Sequence, residues 1–383
     1  MKKLFLFIIV LTAYSCSNKH NTSVKMDHEK KYEEIFVDTK KIEKQIDISD
    51  RIDNIFIVPV KESDGKNIEA VDAVLRHKTN YILVDKYRSK RALLFDSTGK
   101  YMRDLMHLKS FQVNDCWLYP NGDVGVYDLV NSKIFILDDN YMVKNDISVN
   151  REAAYKSVLP LYNSDKYVAI SRLNPYNLAV LDRDLNPERM YLKNDRHQKD
   201  ISQPSFPLLQ VNGKIQHQDY RDEHIYGIDS SGAVSSHYKL LYSEGGIDKK
   251  SANYRIREYL SAVLKTDGVY DIDSLFRNNN YFTGNTFVTE NSIFMMSRGL
   301  NESYFSSMYD PGSKECLSAY QFYDAKRKMA IPLFTTTASL DNNTLATVLS
   351  PSALKNIFMG GKGEATPRFE EGYGKYILLV KFK

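Results

Sequence analysis

The densest run of reactive side chains is QHQDYRDEH at 216–224. His217 and Asp219 alternate onto one face of a predicted strand, and Asp222, Glu223 and His224 fall in the turn beyond it. Two imidazoles with carboxylates can hold a divalent cation through mixed nitrogen and oxygen ligands, so His217, Asp219 and His224 are the metal candidates. Their spacing matches no established metal motif, and a polar hairpin tip yields the same letters, so neither a metal nor a cofactor is expected. A second constellation is the set of polar turns KYRSKR, LVNSK, SRLNPYN, YRDEH, SRGLNES and SPSALK. Four of them carry arginine: Arg88, Arg172, Arg221 and Arg298. Guanidinium groups grip carboxylate or phosphate by forked hydrogen bonds, so these four, with Tyr176, form the candidate ligand-binding set. About four basic residues are expected by chance in loops of that total length, so only a fold that brings the turns together gives the set meaning. Tyr87, Tyr220, Tyr281 and Phe282 suit stacking on sugar rings and equally suit packing at a rim.

Motifs of known chemistry are missing. There is no G-x-S-x-G elbow and no H-E-x-x-H helix, and MGGKGE at 359–364 lacks the lysine and hydroxyl pattern of a phosphate loop. The single Trp117 rules out the repeated tryptophan boxes of sialidases. No catalytic residue is assigned, and the enzyme reading is the weaker one: a propeller-type glycan hydrolase or lyase acting on an anionic saccharide, with paired carboxylates in a funnel.

The elements that must position these turns repeat. YILVDKYRSKRALLFDSTGK (81–100) shows an apolar run to Asp85, a basic turn, a second run to Asp96, and a Ser-Thr-Gly corner. The pattern returns at 123–142 with Asp128 and Asp138, at 166–186 with Ser171 and Asp182, at 213–233 with Asp219 and Asp229, and at 291–314 with Ser297 and Asp310. The second acidic positions are spaced by 42, 44 and 47 residues and then by 81. In the Asp-x-x-Gly form of the corner the aspartate caps its own turn and the glycine supplies positive φ. Further strand candidates, VDAVL, CWLYP, SVLPLY, PLLQV, NTFVT and IPLFTTT, precede the hairpins, and another strand follows each corner. A period of 40 to 50 residues in an all-β chain is the signature of propeller blades. The expectation is a six-bladed β-propeller over 34–383, with four-stranded antiparallel blades. Its last blade combines IPLFTTTAS, NTLATVLS and GKYILLVKFK with an outer strand from RIDNIFIVPV, which removes exposed edges. The doubled interval holds an insertion, 243–284, between blades 4 and 5, where Ile256, Tyr259, Leu260, Val263 and Leu264 recur at helical spacing and predict a lid or flank helix.

The chain has 383 residues, with 43% hydrophobic and 26% charged residues, enough for a substantial core. Formal net charge is +4, of which Lys2 and Lys3 supply two, and no basic stripe is present, so nucleic acid is not an expected partner. MKKLFLFIIVLTAYSC has a basic start and an apolar stretch too short to span a bilayer, so 1–15 reads as a signal peptide. The setting of Cys16 resembles a lipobox, which makes Cys16 a lipidated residue and 16–33 a polar tether. Cys116 and Cys316 read as separate small hydrophobes.

The lipobox, IDISDRIDNIFIVPV, YILVDKYRSKRALLFDSTGKYMRDL and the closing YILLVKFK together resemble the six-bladed β-propeller lipoproteins of Bacteroidetes, relatives of the NHL-repeat propellers. The resemblance implies the fold and a cell-envelope location, and carries no catalytic residues. Ser17-Asn18-Lys19-His20 after the cysteine point to the periplasmic side of the outer membrane. The sequence reading is therefore a monomeric, membrane-anchored binding or scaffolding module for a glycan, peptide or protein partner.

Overall fold

The computed structural model describes residues 32–61, 70–106, 111–150, 155–171, 176–193, 208–211, 214–218, 222–247, 276–300, 303–333, 338–341, 343–358 and 373–383. Residues 1–31, with Cys16 and the expected signal peptide, lie outside them. Three strands come first: β1 (Glu33–Val37), β2 (Ile46–Asp47) and β3 (Ile52–Val60). Blade 1 is β4 (Ala73–His77), β5 (Asn80–Asp85), β6 (Arg91–Phe95) and β7 (Tyr101–Asp104). Blade 2 is β8 (Val113–Leu118), β9 (Val124–Asp128), β10 (Lys133–Leu137) and β11 (Val143–Ser148). Blade 3 is β12 (Tyr155–Pro160), β13 (Tyr167–Ser171), β14 (Tyr176–Leu181) and β15 (Pro187–Lys193). Blade 4 is β16 (Leu208–Val211), β17 (Lys214–Gln218), β18 (His224–Ile228) and β19 (Val234–Tyr242), with β1 added to its outer edge. Blade 5 is β20 (Tyr281–Val288), β21 (Ile293–Arg298), β22 (Tyr304–Asp310) and β23 (Glu315–Ala319). Blade 6 is a small sheet of β2, β24 (Phe322–Asp324) and β25 (Met329–Ala330). Blade 7 runs β26 (Ala338–Asp341), β27 (Thr344–Leu349), β28 (Lys375–Phe382) and β3.

The propeller thus has seven blades, and the expected six is corrected. The extra blade is built from strands of two and three residues, too short to show periodicity, and it borrows β2 from almost three hundred residues upstream. The helical element is also corrected. The described α-helix is α1 (Pro351–Ile357), between β27 and β28 rather than between blades 4 and 5. Ser350 caps it by accepting from the Ala353 N–H at 3.2 Å, Pro351 opens it, and fully buried Leu354 pins it to the blade. Of the predicted insertion, Ile256 to Leu264 lie outside the described residues. Its two ends meet at a Gly246–Asn280 bridge, and β20 already begins at Tyr281.

The pairing of β28 with β3, from Lys375↔Val60 to Phe382↔Ile52, supplies the outer strand that RIDNIFIVPV was expected to give. Inner strands are buried on both sides, because each blade is covered by two neighbours. β5, β9 and β13 therefore read as continuous apolar runs, while the outer β11 is almost wholly exposed. Blades 7 and 1, 1 and 2, 2 and 3, and 3 and 4 meet through their first strands, as do blades 5 and 7. The aspartate corners also tie blades together. Asp96 accepts from the N–H groups of Thr98 and Lys100 at 2.9 and 3.0 Å, and Gly99 at φ 81° lies so near β3 that an added Cβ would sit 2.0 Å from the Pro59 carbonyl oxygen. Asp138, Asp182 and Asp229 repeat this capping in blades 2, 3 and 4. Tyr141 and Leu185 replace the glycine in blades 2 and 3, keeping φ near +60° while burying their side chains. Corner backbone in turn receives side chains from the preceding blade: Arg103 donates to the Tyr141 carbonyl at 2.8 Å, and Tyr191 to that of Gly232 at 3.1 Å.

Candidate functional site: the turn face and its axial mouth

Antiparallel order puts the loops between second and third strands of every blade on one face, together with the connections from each fourth strand to the next blade. In blades 1, 2, 3 and 5 that loop follows a buried polar residue at or next to the end of the second strand: Asp85, Asp128, Ser171 and Ser297. Asp85 has no exposed surface. It accepts the N–H groups of Arg88 and Ser89 at 2.9 and 3.0 Å, the Ser89 hydroxyl at 2.8 Å, and the Ala70 N–H at 3.3 Å. Burial alone would raise its carboxyl, but these donors hold it below the ordinary value. Asp128 does the same for Val130 and Asn131. The repeat's acidic residues therefore stiffen turns, and the turns lift Tyr87, Val130, Leu300 and Tyr304, each 45–49% exposed, to solvent.

Beneath the turns, where the first strands begin, a polar chain crosses three blades. The Lys86 ammonium meets Asp115 at 2.8 Å, with both side chains buried, and the other Asp115 oxygen accepts from the Ser157 hydroxyl at 2.5 Å. Desolvation pulls the lysine down, yet the charge and hydrogen bond of Asp115 prevail and hold it above its ordinary value. Asp72 accepts the Lys86 N–H at 2.7 Å; burial first, and then the Asp85 charge, raise its carboxyl. β-Bulges interrupt the pairing at the start of β8, β12 and β20. Such bulges re-aim side chains, and the bulged Asn114 donates to the Lys156 carbonyl of the next blade. Around the mouth, Thr286 of blade 5 donates to Gln218 of blade 4 at 2.5 Å. The arrangement offers donors and acceptors in a rigid frame, ringed by exposed aromatic and aliphatic side chains.

The predicted site residues are distributed differently from the expected ring. Arg88 is exposed at the tip of the blade 1 turn, and Tyr176 is half-buried at the start of β14, packed on the core of blades 2 to 4. Arg298 does not stand exposed on its turn. It is buried in blade 5, donating to the Tyr281 hydroxyl at 3.1 Å and lying 5.7 Å from the Tyr304 ring centre, so it braces an exposed tyrosine. Arg172, Arg221, Tyr220 and Asp219 lie outside the described residues. Tyr281 and Phe282, predicted near the rim, are core residues. His217 and His224 each stack on Tyr226, and His224 Nδ1 pairs with the Ser236 hydroxyl at 2.8 Å. Among the described residues no group of three or more histidines, cysteines or carboxylates is placed to hold a metal. Cys116 is buried and Cys316 half-buried, both free, with burial raising each thiol.

Asp72, Lys86, Asp115 and Ser157 were missed by sequence reasoning. A signal was present: DAVL at 72, DCWL at 115 and SVLP at 157 recur with the blade period, each placing a polar residue just before an inner strand's apolar run.

No protein-family model and no curated protein matches the chain. Among solved structures, a chain of Bacteroides fragilis described as an exported protein superposes with a TM-score of 0.68 at 12% identity, covering 91% of this chain and 99% of that one. A DUF4221 family member from Bacteroides vulgatus reaches 0.46 at 9% identity, over 87% and 97% of the two chains. Virginiamycin B lyase of Staphylococcus aureus reaches 0.42 at 9%, over 77% and 81%. Among the described residues, no helix is long and apolar enough to cross a membrane. The first of these likenesses, spanning nearly the whole of both chains, agrees with the blade geometry: the fold is a β-propeller.

Proposed function

We propose that this protein is an exported, lipid-anchored binding module that docks a protein partner on its turn face. The observation that carries the reading is the display of aliphatic Val130 and Leu300 with Tyr87, Tyr304 and Arg88 on one face, where buried Asp85 and Asp128 hold the turns of blades 1 and 2 rigid. Apolar groups displayed on preorganised turns lose little entropy when covered, and tyrosine and arginine are the side chains that most often anchor interfaces. The polar mouth beneath supplies hydrogen bonds to whatever enters the centre. Export is supported by the apolar N-terminal stretch and by the name given to the Bacteroides fragilis structure, and anchoring by the setting of Cys16. The periplasmic side of the outer membrane is the location that fits the residues after that cysteine.

Photo-crosslinkers placed at Tyr87, Val130 and Leu300, and at Tyr162 on the opposite face, test the reading in cells. A single protein captured from the three turn positions and not from Tyr162 is the expected result. Arg88→Ala and Tyr87→Ala should each weaken that complex about five- to tenfold, as peripheral anchors do. Equal capture from both faces, or saturable binding to purified glycans that the same substitutions abolish, would overturn the protein-partner reading.

A further inference from the structure

Blades 4 and 5 are joined differently from the rest of the ring. Their strongest strand-to-strand contact is between β1 and β23 at the outer edge, where the other neighbours described above meet most through first strands. Their covalent connection, 243–280, is the longest between blades. Polar contacts mark their interface: Gln218 with Thr286, and the Tyr242 hydroxyl with that of Ser297 at 2.9 Å. Gln216, on the same strand face as Gln218, keeps a buried side-chain oxygen that has no partner among the described residues.

The strand that spans this seam does not belong to either blade's own sequence. β1 runs parallel to β19, in register from Glu33↔Tyr238 to Val37↔Tyr242. Ile35 and Val37 are fully buried in a cluster shared by Ile225 and Leu240 of blade 4 and Phe282, Val288, Met295 and Phe305 of blade 5. Glu33 accepts from the Tyr309 hydroxyl of blade 5, while the Val37 carbonyl accepts from the Ser243 N–H of blade 4 at 3.0 Å. The chain then leaves over a mostly exposed stretch, touches β23 at Glu43, and joins blade 6 as β2. β1 can lift away without breaking any strand pair inside blades 4 or 5.

We propose that β1 is a latch across the seam between blades 4 and 5, and that its release lets the ring part there and widens the axial mouth. The inference does not depend on what the turn face binds. Unlatching removes two apolar plugs and a carboxylate from the seam, which opens the rest of the shared cluster to water and leaves Tyr238 against Tyr309 and the polar pairs as the contacts between the blades. The other interfaces keep their first-strand packing.

Hydrogen exchange by mass spectrometry on the full chain tests this. Ile35→Ala with Val37→Ala should speed exchange about tenfold or more in β16, β17, β20 and β23, with blades 1 and 2 unchanged. A lock provides the converse and does not depend on how well the weakened chain folds. Glu34→Cys with Lys239→Cys joins a facing pair across β1 and β19. Oxidised, the lock should slow exchange in the same seam segments, and reduction should restore it. Exchange that rises equally in every blade in the alanine variant, or a lock that changes nothing at the seam, would overturn the latch.

Discussion

Asp72 and Asp85 lie side by side where the pairing of β4 with β5 ends, and their surroundings push them in opposite directions. Asp85 is raised by burial but lowered further by the donors of its own loop, so its folded-state carboxyl lies below the ordinary 3.8. Its stabilising contribution is complete above that value and is lost as pH falls through the folded pKa. Asp72 is raised, so its ionisation works against folding. Its contribution is most favourable below 3.8 and is lost as pH rises through the folded value. At pH 7, Asp85→Asn should therefore cost about 2 kcal/mol, since an amide turns an acceptor into a donor facing N–H groups. Asp72→Asn keeps an acceptor for the Lys86 N–H and should be neutral or stabilising at pH 7, with any gain vanishing near pH 3.5. Urea midpoints of the two variants at both pH values decide it; a loss for Asp72→Asn at pH 7 as large as that for Asp85→Asn would refute the argument. At this scale the corner aspartates were legible, because an aspartate capping its own turn is a local matter. The Lys86–Asp115–Ser157 chain was not, because its members sit on three blades and only the closed ring makes them neighbours.

Strand identity was the most legible feature of the elements, for a physical reason. A strand covered on both sides must be apolar throughout, so NYILVD and RALLF announce themselves. Blade 6 stayed hidden because its strands hold two or three residues, and the α1 segment was read as a plain turn although Ser350 followed by Pro351 is a helix-start signal. The joints between blades depend on close approach that no local pattern reveals. At Gly99 the left-handed backbone and the contact with Pro59 coincide, and the flanking pairs Lys61 N–H to Gly99 carbonyl and Tyr101 N–H to Lys61 carbonyl fix the distance at 2.8 and 3.2 Å. Gly99→Ala must both strain φ and push β3 away, which should cost about 2–4 kcal/mol. Gly232→Ala meets only side chains, the nearest being a Val180 methyl group at 2.6 Å, and should cost clearly less. Thermal unfolding of the two variants side by side checks that order, and an equal loss would show that backbone contact between corner and edge strand adds nothing beyond φ.

The whole molecule closes by pairing residues more than three hundred positions apart. β3 covers β28 along its length, and Arg51 accepts from the N–H of Lys383 at 2.9 Å, so the last residue is tied to the start of the ring. Ile377, Leu378, Leu379 and Val380 of β28 are all buried, and β3 covers the backbone edge beside them. The same N-terminal stretch adds β1 to blade 4 and β2 to blade 6, so one segment trims the edges of three blades. A chain starting at residue 62 keeps every other strand and loses all three. It should fold its hairpins and still expose a long apolar edge at β28, the kind of edge that pairs with copies of itself. Light scattering should show this shortened chain as larger assemblies than the full chain forms. A peptide of residues 51–61 added in trans should return it toward the size of the full chain by filling the vacant edge. The same peptide carrying Val58→Pro, which removes a ladder donor opposite Ile377, should be much weaker. If the shortened chain is monomeric and unfolds at the temperature of the full chain, closure by β3 is dispensable, and the ring is held by its first-strand contacts alone.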